Sequence, residues 1–478
     1  MWHDHTMPLP PRGLRFHNVI ALIILPLLAG AQDLPSAPHA QVFDLTPNPG
    51  SFTEPSIAVN PGNAQQVVAV FQDNAHAAFS PDAGHTWEPA QDVAPKNFRV
   101  SGDVSTTFDN HGHAFICYIA FDKLGRFNYW AHGATRNGIF IRRSLDGGKT
   151  WEANDIAVAE QQSRPGIPFE DKPYIVADDN PKSRFAGNLY VGWTRWRLTD
   201  SQIVLSRSTD DGKTWTEPIE IDAHPGLPRD DNGAAEGFDG VVAPDGTLYV
   251  VWSQDNDIML AVSKDGGKRF SGARPVIRTA PIMYAVDALE RCNGFPQIAI
   301  DPKSKRLYIT WSDYRNGDID VFVSSSSDGG KHWSPAARVN NDPVHDGAEQ
   351  FFQWLAVDPT DGSINVVFYD RRGDKDGKKQ IVVLARSTDG ARTFTNYAWT
   401  HDAFTAEGVF FGDYTGIAAY GGRVYGTWME QRLEPESSPG EKSKAEDKSG
   451  EKNRPRGTVV KVGTADFSST ASPVASAK

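Results

Sequence analysis

Short apolar runs rich in β-branched and aromatic residues recur along the chain, and turns rich in Gly, Pro, Asn and Asp separate them. The runs form seven pairs, each a first strand, a turn and a second strand that often ends in an aromatic residue. Regularly spaced short strands predict an all-β fold of repeated units. The pairs are Pro55–Asn60 with Val67–Phe71, Val104–Phe108 with Ala114–Ile119, Pro173–Ala177 with Leu189–Trp193, Gly240–Ala243 with Leu248–Trp252, Gln297–Ile300 with Leu307–Trp311, Trp354–Val357 with Ile364–Tyr369, and Thr415–Ala419 with Val424–Trp428.

A polar octet, written STDDGKTW from Ser208, occurs six times between such runs. The aspartates are separated by 64, 64, 55, 63 and 61 residues, and they are Asp82, Asp146, Asp210, Asp265, Asp328 and Asp389. A carboxylate that accepts backbone N–H groups, a glycine and a terminal aromatic plug are typical of a hairpin turn. Because one turn is used once per unit, we interpret these aspartates as structural rather than catalytic.

The octet resembles the Asp-box, or bacterial neuraminidase repeat, S-x-D-x-G-x-T-W, of sialidases and related β-propellers. Two copies end in Phe instead of Trp, Arg269 and His332 stand where Thr is usual, and Ala391 replaces a Gly. The resemblance implies a β-propeller whose Asp-boxes lie on the face away from the active site. It therefore predicts fold more strongly than activity.

The two repeats differ in number, seven strand pairs against six octets, and this difference predicts the architecture. Units one to six have four strands, with the octet between strands three and four. Unit seven has Gly457–Val462 as its third strand, and its missing fourth strand would come from Val42–Leu45. We therefore predict a seven-bladed propeller closed by the N-terminal strand in the last blade. The alternative is the six blades usual for sialidase catalytic domains, with one repeat degenerate.

The first 31 residues have the features of a secretory signal: Arg12 and Arg15, an apolar run from Val19 to Leu28, and a small-x-small site ending at Ala31. The apolar run is too short to span a membrane. The predicted organisation is a signal peptide (1–31), one sialidase-like propeller (32–467) with a disordered polar insertion (433–456), and an unstructured tail (468–478). We expect a secreted or periplasmic protein.

The formal charge is −12, and it becomes −13 without the first 31 residues, which carry a net +1. This acidity argues against nucleic acid or an anionic membrane surface as a partner. The two cysteines, Cys117 and Cys292, are expected to remain unpaired, because a domain of this size needs no disulfide. A monomer is expected.

Charged residues gather where first strands begin and second strands end, and both positions open on the mouth opposite the octets. The carboxylates predicted there are Glu54, Asp73, Asp103, Glu170, Asp171, Asp239, Asp255, Asp313, Asp370, Asp413 and Glu430. Arginine follows the second strand in four units, as Arg195, Arg315, Arg371 and Arg432. Charged groups that converge on one concave mouth suit a polar ligand. The resemblance to sialidases implies that this partner is a glycan.

The resemblance to sialidases implies roles for some of these residues. Three arginines would clamp a sugar carboxylate, for which Arg195, Arg315 and Arg371 are the best candidates, with Arg432 beside them in the binding set. Asp73 or Asp103 would be the acid/base. Tyr414, paired with Glu407 or Glu430, would be the nucleophile, since sialidases use a tyrosine in this role.

One departure from the family pattern keeps a second hypothesis open. Sialidases open their first blade with Arg-Ile-Pro, whereas this chain reads FTEPSI from Phe52 and places Glu54 where the arginine is expected. A carboxylate at that position would repel an acidic sugar. The two hypotheses are an exported glycoside hydrolase acting on terminal glycan sugars and a non-catalytic propeller that binds glycan or protein.

Two further motifs suggest metal ions only weakly. His111 and His113 lie in a tight strand-one to strand-two turn and are interpreted as turn residues. Asp370, Asp374 and Asp376 could hold a structural calcium ion, but they lack a complete oxygen-ligand loop. No cofactor is predicted.

Overall fold

The computed structural model describes residues 34–123, 136–162, 168–433 and 456–470. The predicted signal segment, residues 434–455 of the predicted insertion and residues 471–478 of the predicted tail lie outside the described residues. Within these ranges the regular secondary structure consists of β-strands and one short 3-10 helix, Ser468–Thr470. No helix in this described part has the length and apolar character needed to cross a bilayer.

The described residues contain thirty-one strands, numbered in chain order, and twenty-eight of them form seven blades of four antiparallel strands. The N-terminal strand is β1 (Gln41–Asp44), and blade 1 contains β2 (Thr53–Val59), β3 (Val67–Gln72), β4 (Ala75–Ser80) and β5 (Gln91–Asp92). Blade 2 contains β6 (Val100–Phe108), β7 (Ala114–Phe121), β8 (Arg136–Ser144) and β9 (Ile156–Gln162). Blade 3 contains β10 (Phe169–Ala177), β11 (Leu189–Trp196), β12 (Ser201–Ser208) and β13 (Ile219–Glu220). Blade 4 contains β14 (Glu236–Val242), β15 (Leu248–Gln254), β16 (Asp257–Ser263) and β17 (Arg274–Arg278).

A two-stranded ribbon, β18 (Met283–Tyr284) with β19 (Cys292–Asn293), precedes the fifth blade. Blade 5 contains β20 (Gln297–Ile300), β21 (Leu307–Asp313), β22 (Asp320–Ser326) and β23 (Ala337–Arg338). Blade 6 contains β24 (Gln350–Val357), β25 (Ile364–Asp370), β26 (Lys379–Ser387) and β27 (Thr395–Ala398), and the short β28 (Phe404–Thr405) pairs with its third strand. Blade 7 contains β29 (Gly416–Tyr420), β30 (Arg423–Leu433) and β31 (Arg456–Asp466).

The seven blades close into a ring, as the repeat counts predicted. The first strand of each blade contacts the first strand of the next, and β29 of blade 7 contacts β2 of blade 1. The fourth strand of blade 7 is β1, which pairs antiparallel with β31 from Gln41 opposite Thr464 to Asp44 opposite Lys461. The N-terminal strand therefore completes the last blade, and the six-blade alternative is wrong.

Apolar side chains fill the space between neighbouring blades. Four tryptophans near the ends of second strands are completely buried, Trp193, Trp252, Trp311 and Trp428. The cluster around Trp252, for example, joins side chains of β10 to β12 with those of β14 to β16. The aromatic residues that mark the strand-pair repeat are thus the packing residues between blades. Cys117 and Cys292 are both buried and free.

Each octet begins at the last residue of a third strand and turns the chain toward the fourth. In blade 3, Ser208 Oγ donates to Asp210 Oδ1 over 2.8 Å and accepts the N–H of Gly212 over 3.0 Å. Thr214 donates its N–H to Asp210 Oδ1 and its hydroxyl to Oδ2, at 2.9 and 2.7 Å. Burial raises the pKa of Asp210, but the hydrogen bonds from Thr214 and Ser208 hold it below its ordinary value. Both oxygens of the Asp210 carboxylate therefore accept hydrogen bonds from within the turn.

Loss of the octet serine is expected to destabilise the protein. In Ser208→Ala, the buried N–H of Gly212 loses its acceptor, which should lower the free energy of unfolding by about 1–3 kcal/mol. Urea denaturation measures the change. Thr209→Ala, in the same octet but with an exposed side chain, is the matched control. Equal stability of the two variants would contradict a structural role for the serine.

Candidate active site at the propeller mouth

The first strands of five blades are irregular at the mouth, the end of the propeller opposite the Asp-boxes. Each shows a register shift near its beginning, in β2, β6, β10, β14 and β24. Non-glycine residues there have left-handed backbones: Glu54 (φ 51°), Asp103 (φ 46°), Lys172 (φ 48°) and Phe352 (φ 51°). Each such residue costs about 1–2 kcal/mol. Bulges and strained backbones of this kind concentrate at functional sites, where they change the direction of a side chain.

Charged side chains from the bulged strands and from nearby connections form a group that we call the axial cluster. Its members are Glu54, Asp103, Asp171, Lys172, Asp230, Glu236, Arg291 and Asp413. Lys172 Nζ lies 2.8 Å from Glu236 Oε1, 3.2 Å from Asp413 Oδ2 and 3.9 Å from Asp171 Oδ2. The contact with Glu236 is a close ion pair whose direction departs from that of a hydrogen bond. Burial lowers the pKa of Lys172, but the surrounding carboxylates raise it well above its ordinary value.

Arg291, in the connection between blades 4 and 5, is the second cation of the cluster. It donates Nε to Asp413 Oδ1 over 2.7 Å and a terminal nitrogen to Oδ2 over 2.5 Å, a bidentate pair. Its other terminal nitrogen donates to Asp230 Oδ2 over 3.2 Å. Burial raises the pKa of Asp413, but Arg291 and Lys172 together hold it below its ordinary value. Asp413 is therefore an ionised anchor between two cations.

The remaining carboxyl groups on the first strands are held toward their protonated form. Burial, together with the charge of Asp413, raises the pKa of Glu54 to about 7. Burial and the charge of Glu54 raise the pKa of Asp103 to about 8. Burial raises the pKa of Asp171 to about 7, despite the opposing charge of Lys172. Carboxyl groups this close cannot all ionise, so they share protons near neutral pH.

Tyr414 lies beside these carboxyl groups and lines an aromatic cavity. Burial and the charges of Glu54 and Asp103 raise the pKa of Tyr414 well above its ordinary value. Its ring lies 5.6 Å from that of Trp354, which lies 5.4 Å from that of Tyr174. The lining of this cavity includes Lys172, Tyr174, Phe295, Trp354, Asp413 and Tyr414.

Comparison with known proteins identifies the family. Residues 57–301, just over half of the 478-residue chain, match the BNR repeat-like domain. The chain belongs to the BNR repeat-like family. The resemblance to sialidase-like propellers is thereby confirmed, together with the all-β, seven-bladed fold.

Individual relatives include enzymes that act on glycans. A sialidase of Bacteroides fragilis (strain YCH46) is 30% identical over 249 residues, which are 46% of this chain and 44% of the sialidase. The chain thus spans less than half of the length of that curated relative. Among solved structures, a Hadza microbial sialidase is 16% identical, with 77% of this chain and 72% of the other covered and a TM-score of 0.45. An ulvan lyase bound to -[GlcA(1-4)Rha3S]- is 11% identical, with 81% and 93% covered and a TM-score of 0.45.

The catalytic candidates of this BNR repeat-like propeller fall into two groups. Asp103 and Tyr414 lie in or beside the axial cluster. Asp73 is exposed in the turn between β3 and β4. Glu430 accepts Trp428 Nε1 over 2.9 Å and lies 3.6 Å from Lys461 Nζ within blade 7, whereas Glu407 lies 3.5 Å from Arg456. The carboxyl groups whose charges act on Tyr414 are instead Glu54 and Asp103.

The four predicted binding arginines do not reach the axial cluster through any contact seen in the described residues. Arg195 pairs with Glu170 at 2.8 Å, Arg315 with Asp313 at 2.6 Å, and Arg432 with Asp44 at 3.0 Å. Arg371 is buried and donates to the carbonyl of Gly377 over 2.6 Å, while its guanidinium lies over the ring of Phe351. Each guanidinium is therefore held by a group outside the axial cluster. The cations of the axial cluster are Lys172 and Arg291, and the clamp role of the four arginines stays a prediction.

Lys172, Asp230, Glu236 and Arg291 were absent from the predicted mouth. A sequence signal existed for two of them, because Lys172-Pro173 occupies the place of Glu54-Pro55 at the start of a first strand, and Glu236 begins the next one. Asp230 and Arg291 lie in connections that have no counterpart in the repeat.

Of the three aspartates considered for calcium, Asp370 accepts Arg372 Nε, and Asp374 accepts the N–H groups of Lys378 and Lys379.

The raised carboxyl pKa values predict a protein that loses stability as pH rises. Glu54 titrates at about 7 in the folded protein and at its ordinary 4.5 when unfolded, so the folded state binds the extra proton between these values. Stability should fall as pH rises through this window, seen as a falling melting temperature from pH 5 to pH 8. In Glu54→Gln the fall should be smaller, whereas exposed Glu217→Gln should follow the wild type. Parallel curves for all three proteins would contradict the assignment.

Proposed function

We propose that the protein is an exported glycoside hydrolase that acts on terminal glycan sugars at the propeller mouth. The observation that supports this most directly is the group of buried carboxyls with pKa values of about 7 to 8, beside Tyr414 and an aromatic cavity. Catalytic acids need pKa values near the working pH, and burial is a common means of achieving this. Export to a secreted or periplasmic location rests on the N-terminal signal-like segment.

In the proposed reaction Asp103 is the acid/base. Protonated near neutral pH, it would donate its proton to the glycosidic oxygen as the bond to the anomeric carbon breaks. Tyr414 would attack that carbon and pass its phenolic proton to Glu54, which is ionised in part near pH 7. The Asp103 carboxylate would then take a proton from the water that attacks the anomeric carbon, while Glu54 returns its proton to the departing Tyr414 phenolate, so that both groups regain their starting states. This assignment replaces Glu407 and Glu430 with Glu54 as the partner of Tyr414.

The same cavity would bind the sugar. Tyr174 and Trp354 offer aromatic faces for a pyranose ring, and two members of the axial cluster, Lys172 and Asp413, line the same cavity and can hydrogen-bond its hydroxyls. A carboxylate on an acidic sugar bound in this cavity would meet Lys172, which is already paired with acidic side chains. The proposal therefore covers neutral and acidic terminal sugars, and the screen below separates them.

The test is a screen of the purified chain against fluorogenic α- and β-glycosides, including sialosides, neutral hexosides, N-acetylhexosaminides and uronosides. Turnover of at least one class above the buffer rate is expected. A fluorinated analogue of that substrate should leave a glycosyl adduct, detected by intact mass, that is absent from Tyr414→Phe. Tyr397→Phe, at the edge of blade 6, is the control and should retain the adduct. Buffer rates for every class would refute the proposal.

A non-catalytic glycan- or protein-binding propeller is the second candidate. The observation that favours it is that Lys172 and Arg291 are satisfied by Glu236, Asp413 and Asp230 without any ligand. A network whose cations are already paired can serve simply to hold the ends of the first strands together. Saturable binding on a glycan array, lost on acidifying or mutating the mouth and accompanied by no product, would support this candidate over the hydrolase.

A further inference from the structure

A group of three metal-ligating side chains lies on the Asp-box face, away from the mouth. It consists of Asp109, His111 and His113, in the turn that joins β6 to β7. Within the described residues it is the one group of three His, Cys, Asp or Glu side chains with a ligand atom of each within 4.8 Å of the others. The group plays no part in the proposed hydrolysis, so a ligand bound there would be independent of that proposal.

The backbone fixes this group before any ion arrives. Asp109 Oδ1 accepts the N–H groups of His111 and His113 over 2.8 and 2.9 Å. The N–H of Asp109 donates to the carbonyl of His113, and Gly112, with φ of 82°, allows the chain to reverse between the two histidines. The turn therefore holds one carboxylate oxygen and leaves the other, Oδ2, facing the imidazoles.

The corresponding turns of other blades show that the fold does not require the histidines. Asn60, Asp301 and Asp358 follow their first strands at the same position, and each accepts a backbone N–H two residues ahead, at 2.9, 3.0 and 2.8 Å. This is the role that Asp109 Oδ1 has in blade 2. None of these three turns contains a histidine. The two imidazoles on the second oxygen are thus an addition specific to blade 2.

The distances suit a small divalent ion with nitrogen and oxygen ligands. Asp109 Oδ2 lies 2.9 Å from His113 Nδ1 and 3.7 Å from His111 Nδ1. Bonds of about 2.0–2.2 Å in a tetrahedral Zn²⁺ site place neighbouring ligand atoms about 3.3 Å apart, between these two values. The Asp109 side chain is 1% exposed, whereas His111 is 57% exposed and can rotate into place. The exposed side leaves a fourth position for water.

We propose that Asp109, His111 and His113 bind one divalent transition-metal ion of the Zn²⁺ type. The donor set of two imidazoles and one carboxylate matches borderline ions and disfavours Ca²⁺ and Mg²⁺, which prefer oxygen ligands alone. Bound at this turn, the ion would join the end of β6 to the start of β7 and stabilise the Asp-box face of blade 2.

The test uses tag-free, chelator-treated full chain and isothermal titration with ZnCl₂. One Zn²⁺ per chain is expected, with no heat from CaCl₂. Binding should weaken at least about tenfold in His111→Ala and in His113→Ala. The matched control is His332→Ala, because His332 Nδ1 makes a similar i,i+4 contact of 2.6 Å with Asp328 but has no second histidine. A Co²⁺-loaded sample should show the intense visible bands of a four-coordinate site.

Three results would overturn the proposal. These are absence of Zn²⁺ binding to the wild type, unchanged binding in the double variant His111→Ala/His113→Ala, and an equal loss in His332→Ala. Circular dichroism and melting temperature without metal show whether each variant is folded, so that a loss of binding reports on the ligands. A gain in melting temperature on adding Zn²⁺, absent from the double variant, would be an independent positive result.

Discussion

Lys172→Met is expected to lower the free energy of unfolding by about 3–5 kcal/mol, because it removes one charge from a buried ion-pair network. Lys172 Nζ lies within 4.0 Å of the carboxylates of Glu236, Asp413, Asp171 and Asp230. Methionine retains the length of the side chain, so the substitution mainly deletes the cation. Four acidic groups would then face Arg291 alone. Chemical denaturation at pH 8 measures the loss.

The pH dependence separates this electrostatic effect from a packing defect. Without Lys172, the raised pKa of Glu236 should rise further and the lowered pKa of Asp413 should rise toward its ordinary value, and protonation at low pH should relieve the repulsion. The destabilisation should therefore be smaller at pH 5 than at pH 8. Lys213→Met, which removes an exposed lysine 3.4 Å from Asp211, should have little effect at either pH. A loss that is the same at both pH values would indicate packing instead.

A second substitution tests whether the charges are coupled. Glu236 pairs with Lys172 at 2.8 Å, and burial raises the pKa of Glu236 well above its ordinary value. In the double variant Lys172→Met/Glu236→Gln, one unpaired carboxylate is removed together with the cation. Its stability should exceed that of Lys172→Met alone, and the non-additive part of a double-mutant cycle gives the coupling. Strictly additive effects would contradict the network.

The fold was predictable because its signals are periodic and local. The octet requires a serine, an aspartate and a glycine within five residues, and Ser208, Asp210 and Gly212 make the hydrogen bonds that this spacing implies. Counting six octets against seven strand pairs identified the blade without an Asp-box. The closing strand was visible as an unpaired apolar segment near the N-terminus, and β1 pairs with β31 accordingly.

The candidate site was predictable only in part, because strand periodicity does not give the distance of a residue from the propeller axis. Arg195 and Arg315 end second strands, one strand away from the axis, where Glu170 and Asp313 hold them. Glu54, Asp103 and Lys172 begin first strands, which line the axis. These side chains come close to one another because bulges place residues other than glycine in left-handed backbone conformations. Since such conformations are unusual for these residue types, the amino-acid composition gives no sign of them.

Connections outside the repeat account for the other residues that were missed. Arg291 lies between blades 4 and 5, in a segment that also forms β18 and β19. Its partner Asp413 is 122 residues further along the chain. The pair exists only because the ring brings blades 5 and 7 to the same mouth. Asp413 was predictable as a mouth residue from its place before a first strand, but its partner lies in a connection outside the repeat.

Asp103→Asn should reduce kcat by about 10²–10⁴-fold on a substrate with a poor leaving group, if the hydrolase proposal holds. Asparagine retains the shape of the side chain and cannot donate the proton that the glycosidic oxygen needs. The loss should be much smaller on an aryl glycoside with an acidic phenol, since that leaving group departs without protonation. This contrast identifies an acid, because a merely structural defect would slow both substrates alike.

The pH profile and two further variants complete the test of Asp103. Since burial raises its pKa to about 8, wild-type activity should decline above that pH, and the decline should be absent from the residual activity of Asp103→Asn. Asp402→Asn, at an exposed loop position, controls for the loss of a charge. Asp73→Asn tests the competing candidate, whose exposed position in the β3–β4 turn predicts a small effect. If Asp73→Asn loses activity and Asp103→Asn retains it, the general acid is Asp73 at the rim and not Asp103 in the axial cluster. The mechanism proposed for the bulged first strands would then be wrong.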